Sequence, residues 1–448
     1  IGYVTNGVHV MTFLASEWVM FFDSRSRGWR EYMTDKRFWQ DYVQSIPDQA
    51  FWSLRQNIKA GLLDHVREAL CRQYRRNHVG EAHIQRMLTH LSPNGNPPLV
   101  IGFARRFATY KRATLLFRDP VRLARILNQA DRPIVLLFAG KAHPQDRPGQ
   151  DLIRVIGDYA EQPEFEDKLF FIENYDLALG RKLVSGVDVW LNTPEYPMEA
   201  CGTSGQKAGL NGALNVSILD GWWGETFDGT NGWGLIPQTG VDADTRDRLE
   251  AEELLDVLEH EVIPLYFARN SQGYSPGWVG RSKAAMQTIL PRHSAERMLE
   301  DYIRQYYLPA INHGRQLAAN GGALARELTE WKAHVRRAWN GVRMSRLDEP
   351  KTRIDVEASL DLRVRVELNG LAPEHVRLEC VLGEEDAFGR FHRSTCYALQ
   401  PVGTEGSATI FALQEPMTEA GLYAYEIRLF PFHPALAHPF ETGCMLWL

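Results

Sequence analysis

Short apolar runs alternate with longer mixed stretches between residues 98 and 219, and this alternation limits the fold more than any other feature. The runs are PLVIGFA, PIVLLFAG, KLFFIE, VDVWLN and ALNVSIL. Each is about one strand long and shows little polar alternation, as expected for strands that are buried on both faces. Amphipathic stretches such as TLLFRDPVRLARILNQA and DLIRVIGDYA lie between them. Repeated strand–helix–strand units predict an α/β fold with a doubly wound parallel sheet, which binds ligands at the carboxyl ends of its strands.

The regions on either side of these apolar runs show different residue patterns. Residues 17–75 and 251–342 have helical spacing, and MSRLDEPKTR reads as a linker. After the linker, IDVEASLDLRVRVELNG alternates with period two, and further short runs are separated by Gly, Pro and Glu turns. We therefore predict two domains: an α/β domain with a helical tail over residues 1–345, and an all-β sandwich over residues 350–448.

Charge and cysteine usage exclude several classes. The net charge of -6 argues against a nucleic-acid partner. No apolar run is long enough for a membrane span, so no membrane partner is expected. The five cysteines are scattered and odd in number, which favours a reducing, cytoplasmic location and no metal site. The chain begins IGYVTNGVHV, without Met or a charged leader, and we expect it to be a section of a larger protein.

The stretch EACGTSGQKAGLNGAL, residues 199–214, is the strongest candidate for chemistry. A GTSG turn that opens a helix directs free N–H groups at an anion. Lys207 follows among small and apolar residues, where desolvation would lower its pKa and free the amine to react with a carbonyl. A phosphate-bearing aldehyde, pyridoxal 5'-phosphate, satisfies both halves of the motif. The plain alternative is a solvated lysine on a helix face.

A second candidate is GFARRFATYKR, which follows the first apolar run. Arg105, Arg106, Lys111 and Arg112 would form a dense cationic cluster at a strand end. Positive charge at a helix start opposes the helix dipole unless an anion shares the site. Two neighbouring phosphates would need about this much charge, whereas the alternative is a solvated helix start.

The carboxylates and aromatic residues are less specific. Glu199 could cap the glycine turn or accept sugar hydroxyls, and Asp220 and Glu225 have no spacing that fixes a glycosidase pair. The run DGWWGETFDGTNGW offers either aromatic platforms for sugars or core packing. The histidines His9 and His143 lack metal-ligand spacing and are interpreted as loop residues.

With these residues in place, the chain resembles the α-glucan phosphorylases, the glycogen, starch and maltodextrin phosphorylases, in a bacterial form. The resemblance rests on TNG near the start, R-R-x-x-x-Y-K-R from Arg105 to Arg112, ENY ending at Tyr175, and the whole of EACGTSGQKAGLNGAL. It covers residues 1 to about 240 and extends more loosely to about 340.

The resemblance implies a pyridoxal-phosphate-dependent glycosyltransferase that phosphorolyses α-1,4-glucan to glucose 1-phosphate with retention of configuration. Its cofactor site would comprise Lys207, Thr203, Ser204, Gly205, Arg105 and Tyr175. Inorganic phosphate would be bound by Arg106 and Lys111, which with Lys207 are the catalytic candidates. Sugar hydroxyls would be bound by Glu199, Ala200, Cys201, Gly202 and Asn6. Arg105 stands where the family has lysine and Cys201 where it has serine.

The family has two facing α/β domains, and this chain would carry only the second, without the N-terminal one. We therefore expect the chain alone to bind the cofactor weakly and to turn over little. The resemblance also implies a homodimer, with contact surfaces that could lie in the missing half. Two alternatives stay open: a nucleotide-sugar-dependent retaining glucosyltransferase, which needs no imine at Lys207, and a non-catalytic glucan-binding module built on the β-domain.

Overall fold

A computed structural model describes residues 2–91, 97–349, 353–355, 358–385, 391–418 and 421–448. It divides into two units, Ile1–Tyr302 and Ile303–Leu448. The domain boundary placed between residues 345 and 350 stays a prediction. Within the described ranges, no helix has both the length and the apolar character needed to cross a bilayer.

The first unit begins with a helical segment around a tryptophan-rich core. The core includes fully buried rings of Trp18, Phe22, Trp29 and Trp39, which contact one another edge to face or tilted. Its helices are α1 (Val10–Phe13), α2 (Ser16–Arg25), α3 (Lys36–Gln44), α4 (Asp48–Arg76) and α5 (Glu81–Met87).

A six-stranded parallel sheet follows, and it confirms the predicted fold class. Its strands are β1 (Leu99–Ala104), β2 (Ile134–Ala139), β3 (Leu169–Ile172), β4 (Val189–Asn192), β5 (Leu214–Ile218) and β6 (Gly232–Leu235). All five predicted runs form strands, and the glycine-rich β6 is an addition. The spatial order is β3-β2-β1-β4-β5-β6, with β1 paired to β2 on one side and to β4 on the other. The order in which successive strands are added therefore reverses between β1 and β4. Doubly wound sheets have their ligand crevice at this switch point.

Aspartates set the starts of three of the crossover helices. The side chains of Asp119, Asp146 and Asp176 each accept a hydrogen bond from the amide three residues on, at the N-caps of α6, α7 and α8. The helices on this part of the chain are α6 (Pro120–Leu127), α7 (Arg147–Ala160), α8 (Leu177–Gly186), α9 (Thr203–Gly209) and α10 (Gly221–Thr226).

Four further helices complete the unit: α11 (Ala243–Val257), α12 (Ile263–Phe267), α13 (Pro276–Arg292) and α14 (Ala295–Tyr302). Among them, α13 packs against β5 and β6, and α11 packs against β6. Trp278 of α13 contacts Trp233, in the aromatic run of residues 220–233. The rings of Trp222, Trp223 and Trp233 are buried. These tryptophans therefore belong to the core, and the alternative of exposed sugar platforms is wrong for them.

A buried ion pair joins α4 to the amino ends of β1 and β4, opposite the crevice. Lys59 Nζ donates to Asp188 Oδ2 at 2.9 Å and to the carbonyl of Pro98 at 3.0 Å. The same carboxylate oxygen accepts from the main-chain N–H of Val100 at 2.9 Å. Both charged side chains are almost fully buried. The pair fixes the two central strands relative to each other.

The second unit contains α15 (Leu308–Ala338) and one antiparallel sheet. Non-helical backbone at 319–322 interrupts α15. The sheet order is β13-β12-β9-β10-β11-β8-β7. The long β10 pairs with β9 through residues 391–399 and with β11 through 400–405, so the sheet curls. Both halves and α15 share one apolar core. The strands are β7 (Arg343–Arg346), β8 (Ser359–Glu367), β9 (Val376–Glu385), β10 (Phe391–Glu405), β11 (Ala408–Pro416), β12 (Ala424–Pro431) and β13 (Leu446–Trp447).

Candidate active site

The crevice between the carboxyl ends of β1 and β4 holds a buried group of charged side chains. Arg105 directly follows β1, and its guanidinium donates to Asn192 Oδ1, at the end of β4. Arg105 Nη2 also donates to Glu199 Oε2 at 3.0 Å, and Lys111 Nζ donates to the same oxygen. The side chains of Arg105, Lys111 and Glu199 are each less than a tenth exposed. Two cations therefore share one carboxylate.

Glu199 is held in place by the end of the next strand. Its main-chain N–H donates to Asp220 Oδ2 at 2.9 Å. Asp220 follows β5 and also accepts from the N–H of Gly221 at 2.8 Å, at the start of α10. Burial raises the pKa of Asp220 above its ordinary value. Asp220 is therefore a positioning group for Glu199.

The four basic residues of GFARRFATYKR separate into different environments. Lys111 is buried and its Nζ lies 4.6 Å from the centroid of the Tyr110 ring. Arg106 is exposed and has no hydrogen bond or ion pair with the residues that the structure describes. Arg112 is buried and pairs with Glu250.

Arg112 does not belong to the crevice cluster. It also pairs with Asp247 at 2.7 Å and donates to the carbonyls of Thr193 and Pro194. The predicted four-cation cluster is wrong for Arg112, because local carboxylates and carbonyls occupy its donors.

Two glycines at the start of α9 are required for steric reasons. Gly202 has φ of +80°, and a Cβ there would lie 2.9 Å from Glu199 Oε1. A Cβ on Gly205 would lie 2.5 Å from Asn215 Oδ1 and 2.8 Å from the Trp222 ring. Gly205 is therefore required by packing against β5 and α10. Between them, Ser204 Oγ accepts from Trp190 Nε1 at 3.2 Å.

Lys207 lies in the last turn of α9 and is half-buried. Its Nζ lies 4.2 Å from the centroid of the Phe13 ring. Among the described residues, this amine has no hydrogen bond or ion pair. Burial lowers the pKa of Lys207 below its ordinary value, so the expected desolvation is confirmed. An amine in this state is a candidate nucleophile toward a carbonyl.

Two further predicted residues lie on neighbouring segments. Tyr175 follows β3 and is half-buried, with its hydroxyl against Gly180 of α8, and burial raises its pKa. Asn6 is exposed at the chain start, and its carbonyl accepts from Gln206 Nε2 at 2.9 Å. Gln206 Nε2 also contacts Cys201 Sγ at 3.6 Å. The Asn6 main chain therefore lies beside the turn of residues 199–202, of which Ala200 is exposed.

The donor set fits a phosphorylated aldehyde. Arg105 Nε is buried and has no hydrogen-bond partner within the described part of the chain. The Lys207 amine likewise has no hydrogen bond or ion pair among the described residues, and its Nζ lies against the Phe13 ring. A carbonyl group suits the amine, and a phosphate group suits the cations.

Sequence reasoning missed several residues of this region. Phe13, Asn192 and His293 had no motif that marked them, and Gln206 was given no role although it lies inside EACGTSGQKAGLNGAL. Asn192 could have been found as the polar end of a buried strand, next to the predicted crevice. The others come together only through tertiary packing.

The fold and the crevice define an α/β domain with a cation-lined ligand site at the switch point of a doubly wound sheet. Residues 102–228 match the family model of carbohydrate phosphorylases. Residues 339–448 match the model of the glycogen phosphorylase C-terminal domain. The chain belongs to the carbohydrate phosphorylase family, as its motifs predicted.

Individual relatives agree with the family models. A glycogen phosphorylase of Mycobacterium bovis is 38% identical over 448 residues, covering 99% of this chain and 51% of that protein. A maltodextrin phosphorylase of Thermococcus litoralis is 35% identical over 451 residues, covering 99% of this chain and 52% of that protein. A glycogen phosphorylase of Aquifex aeolicus is 39% identical over 308 residues, covering 68% of this chain and 44% of that protein. The chain spans about half the length of the curated relatives that it matches.

Proposed function

We propose that this chain forms the cofactor-binding and phosphate-binding part of an α-1,4-glucan phosphorylase. The reaction transfers a glucosyl unit from the glucan to inorganic phosphate and yields glucose 1-phosphate. The observation that carries the proposal is the uncommitted, partly desolvated amine of Lys207, on the helix that the Glu199–Gly202 turn introduces. The printed names of the relatives, glycogen and maltodextrin phosphorylases, support the same assignment.

The proposed cofactor is pyridoxal 5'-phosphate. Lys207 would hold its aldehyde end. The N–H groups of Thr203, Ser204 and Gly205, together with the Arg105 guanidinium, would hold its phosphate, because the first amides of a helix have no intrahelical acceptor. Tyr175 would pack nearby. When bound, the cofactor supplies a phosphate group whose second pKa, about 6, lets it exchange a proton near neutral pH.

The substrate phosphate would be bound by Lys111 and Arg106. Lys111 is buried and shares Glu199 with Arg105, so its ammonium is fixed in orientation before any anion arrives. Arg106 is exposed and free to turn toward the crevice. A buried cation attracts an anion more strongly than the same cation does in water, because the local dielectric constant is lower.

The glucosyl unit would be bound by the turn of residues 199–202 and by Asn6. Glu199 has a second carboxylate oxygen, Oε1, which faces Gly202. Carboxylate and main-chain groups of this kind accept from and donate to sugar hydroxyls. Cys201 in place of serine leaves the main-chain contacts available.

The rest of the relatives' length would supply the remaining walls of the site. We infer that the complete enzyme closes the crevice with this second part and works as a homodimer. The chain alone would bind pyridoxal phosphate weakly and turn over little, because one side of its site is open to water.

Equilibrium binding of glucose 1-phosphate tests the proposal. The chain saturated with pyridoxal phosphate should bind glucose 1-phosphate, and Lys111→Met should weaken binding at least tenfold by removing a buried cation. Lys36→Met is the matched control, because Lys36 is an exposed lysine that is distant from Lys111 in the sequence. Tight binding of a nucleotide sugar, with no effect of pyridoxal phosphate, would instead support a nucleotide-sugar-dependent transferase.

A further inference from the structure

A buried histidine lies behind the proposed sugar site. His293 follows α13 and is 1% exposed. Its Nδ1 lies 3.1 Å from Gln206 Nε2, and its Nε2 lies 2.7 Å from Thr226 Oγ1. The Trp222 ring meets the imidazole edge to face at 5.0 Å. The ring is thus held on three sides, and both nitrogens have a partner.

The hydrogen-bond directions in this group follow from the Asn6 carbonyl. Gln206 Nε2 donates one hydrogen to Asn6 O at 2.9 Å, which fixes which end of the amide is the nitrogen. Of its two further contacts, His293 Nδ1 at 3.1 Å is shorter than Cys201 Sγ at 3.6 Å. We therefore assign the second hydrogen to Nδ1, which then accepts and carries no proton. The proton is therefore on Nε2, which donates to Thr226. A neutral Nε2–H imidazole satisfies both ring nitrogens, whereas Gln206 Oε1 is buried and has no hydrogen-bond partner among the described residues.

The segment from Asn6 to Val8 is also fixed by the residues around His293. Val8 N donates to His293 O at 2.8 Å, and Ala295 N donates to Val8 O at 2.9 Å. A Cβ on Gly7 would lie 2.2 Å from Ser294 O, so the two backbones are in close contact. The Asn6 carbonyl is the point where this segment meets α9, next to Lys207.

We propose that His293 is a positioning residue, which orients the Gln206 amide so that this amide fixes Asn6 beside the turn of residues 199–202. This inference rests on the proposed function, because it takes Asn6 as a contact for the glucosyl unit. Without an acceptor at Nδ1, the Gln206 amide loses the partner that sets its orientation. Asn6 is then held less firmly, and the sugar contact weakens while the cofactor contacts at Lys207 stay.

Three variants test the inference in the full chain. His293→Phe keeps a ring but removes both hydrogen bonds. His293→Asn restores a short acceptor toward Gln206 and serves as the conservative rescue. Gln206→Met removes the donor to Asn6 without changing the histidine. The double variant of His293→Phe and Gln206→Met should show no further effect, because the two residues act in one pathway.

The first readout is independent of catalysis. Nitrogen-15 NMR should find His293 Nδ1 unprotonated and Nε2 protonated. Amide hydrogen exchange at residues 6–8 should become at least tenfold faster in His293→Phe and Gln206→Met, recover in His293→Asn, and stay unchanged in β1 and β5. A protonated Nδ1, or unchanged exchange at residues 6–8, would overturn the inference.

The second readout is affinity for ligands. Glucose 1-phosphate binding should weaken about tenfold in His293→Phe, with partial recovery in His293→Asn, while the affinity for pyridoxal phosphate stays within twofold. Faster exchange with unchanged sugar affinity would overturn the positioning role. A wild-type chain that binds no glucose 1-phosphate would overturn the proposed function, and the NMR and exchange comparison would still decide whether His293 positions Asn6.

Discussion

Arg105 Nη2 and Glu199 Oε2 lie 3.0 Å apart across the crevice between β1 and β4, and Lys111 donates to the same carboxylate oxygen. A buried carboxylate thus serves as the shared counter-ion of two cations. The arrangement keeps both cations oriented in a low-dielectric site. Glu199 is therefore both a proposed sugar contact and an electrostatic support for the cations.

Replacing Glu199 should show how strongly the two buried cations depend on their shared counter-ion. Glu199→Gln leaves two buried cations without their carboxylate, and we expect the free energy of unfolding to fall by about 3–5 kcal/mol. Inorganic phosphate should raise the melting temperature of the variant more than that of the wild type, because phosphate supplies the missing negative charge. Differential scanning calorimetry with and without phosphate measures this. Equal phosphate effects on both proteins would contradict the electrostatic account.

The lowered pKa of Lys207 predicts enhanced amine reactivity. Burial disfavours the charged ammonium, so between the lowered pKa and the ordinary value of 10.5 more of this lysine is neutral and nucleophilic. In that window the unfolded chain binds more protons than the folded chain. The contribution of this group to the free energy of unfolding therefore increases as the pH rises. Acetic anhydride labelling at a series of pH values, followed by mass spectrometry, should give Lys207 a titration midpoint below the ordinary lysine value of 10.5. A midpoint at or above that value would contradict the desolvation argument.

His293 predicts acid sensitivity of the fold. Burial, and then the nearby Arg297 and Arg292, lower the pKa of His293 from 6.5 to about 3. Below pH 6.5 the unfolded chain takes up a proton that the folded chain does not. The free energy of unfolding therefore falls as the pH is lowered from 6.5 to about 3, and this histidine does not change it above pH 6.5. Relative to His293→Phe, the wild type should lose about 2 kcal/mol between pH 7 and pH 5. Urea denaturation at the two values measures it, and parallel losses in both proteins would speak against a buried neutral histidine.

The ion pair of Lys59 and Asp188 should be essential to the sheet. Lys59→Met leaves a buried carboxylate unpaired, and we expect the free energy of unfolding to fall by about 3–5 kcal/mol. Lys36→Met changes an exposed lysine and should stay within about 0.5 kcal/mol of the wild type. Chemical denaturation compares the three proteins. Similar small losses in both variants would mean that the pair does not hold β1 and β4 together.

Two glycines in helices should respond in opposite directions to alanine. In Gly205→Ala the new Cβ meets Asn215 and Trp222, so we expect a loss of about 1–3 kcal/mol. In Gly61→Ala, inside α4, no atom lies within 4 Å of the new Cβ, and the better helix propensity should stabilise by about 0.5–1 kcal/mol. Thermal melting of the two variants decides the sign, and a stable Gly205→Ala protein would show that the first turn of α9 has room for a side chain.

The sequence predicted the fold well where the signal was local. Five apolar runs became β1 to β5, because strands buried on both faces need continuous apolar residues. Arg105 and the turn of residues 199–205 were predicted to lie near one crevice, because the carboxyl ends of parallel strands meet at the same edge of a sheet. Arg112 was misplaced because its partners Asp247 and Glu250 come from α11, more than a hundred residues later. His293 was missed, and Gln206 was given no role, because a hydrogen-bond network between distant helices leaves no periodic pattern.

The central claim is that the Lys207 amine is the site of pyridoxal phosphate attachment, and borohydride trapping tests it most directly. The chain is incubated with pyridoxal phosphate, reduced, digested and mapped by mass spectrometry, with Lys207→Ala and Lys182→Ala compared in parallel. We predict one stoichiometric adduct on Lys207, retained in Lys182→Ala and lost in Lys207→Ala. An adduct spread over exposed lysines, at the same level in all three proteins, would contradict the account.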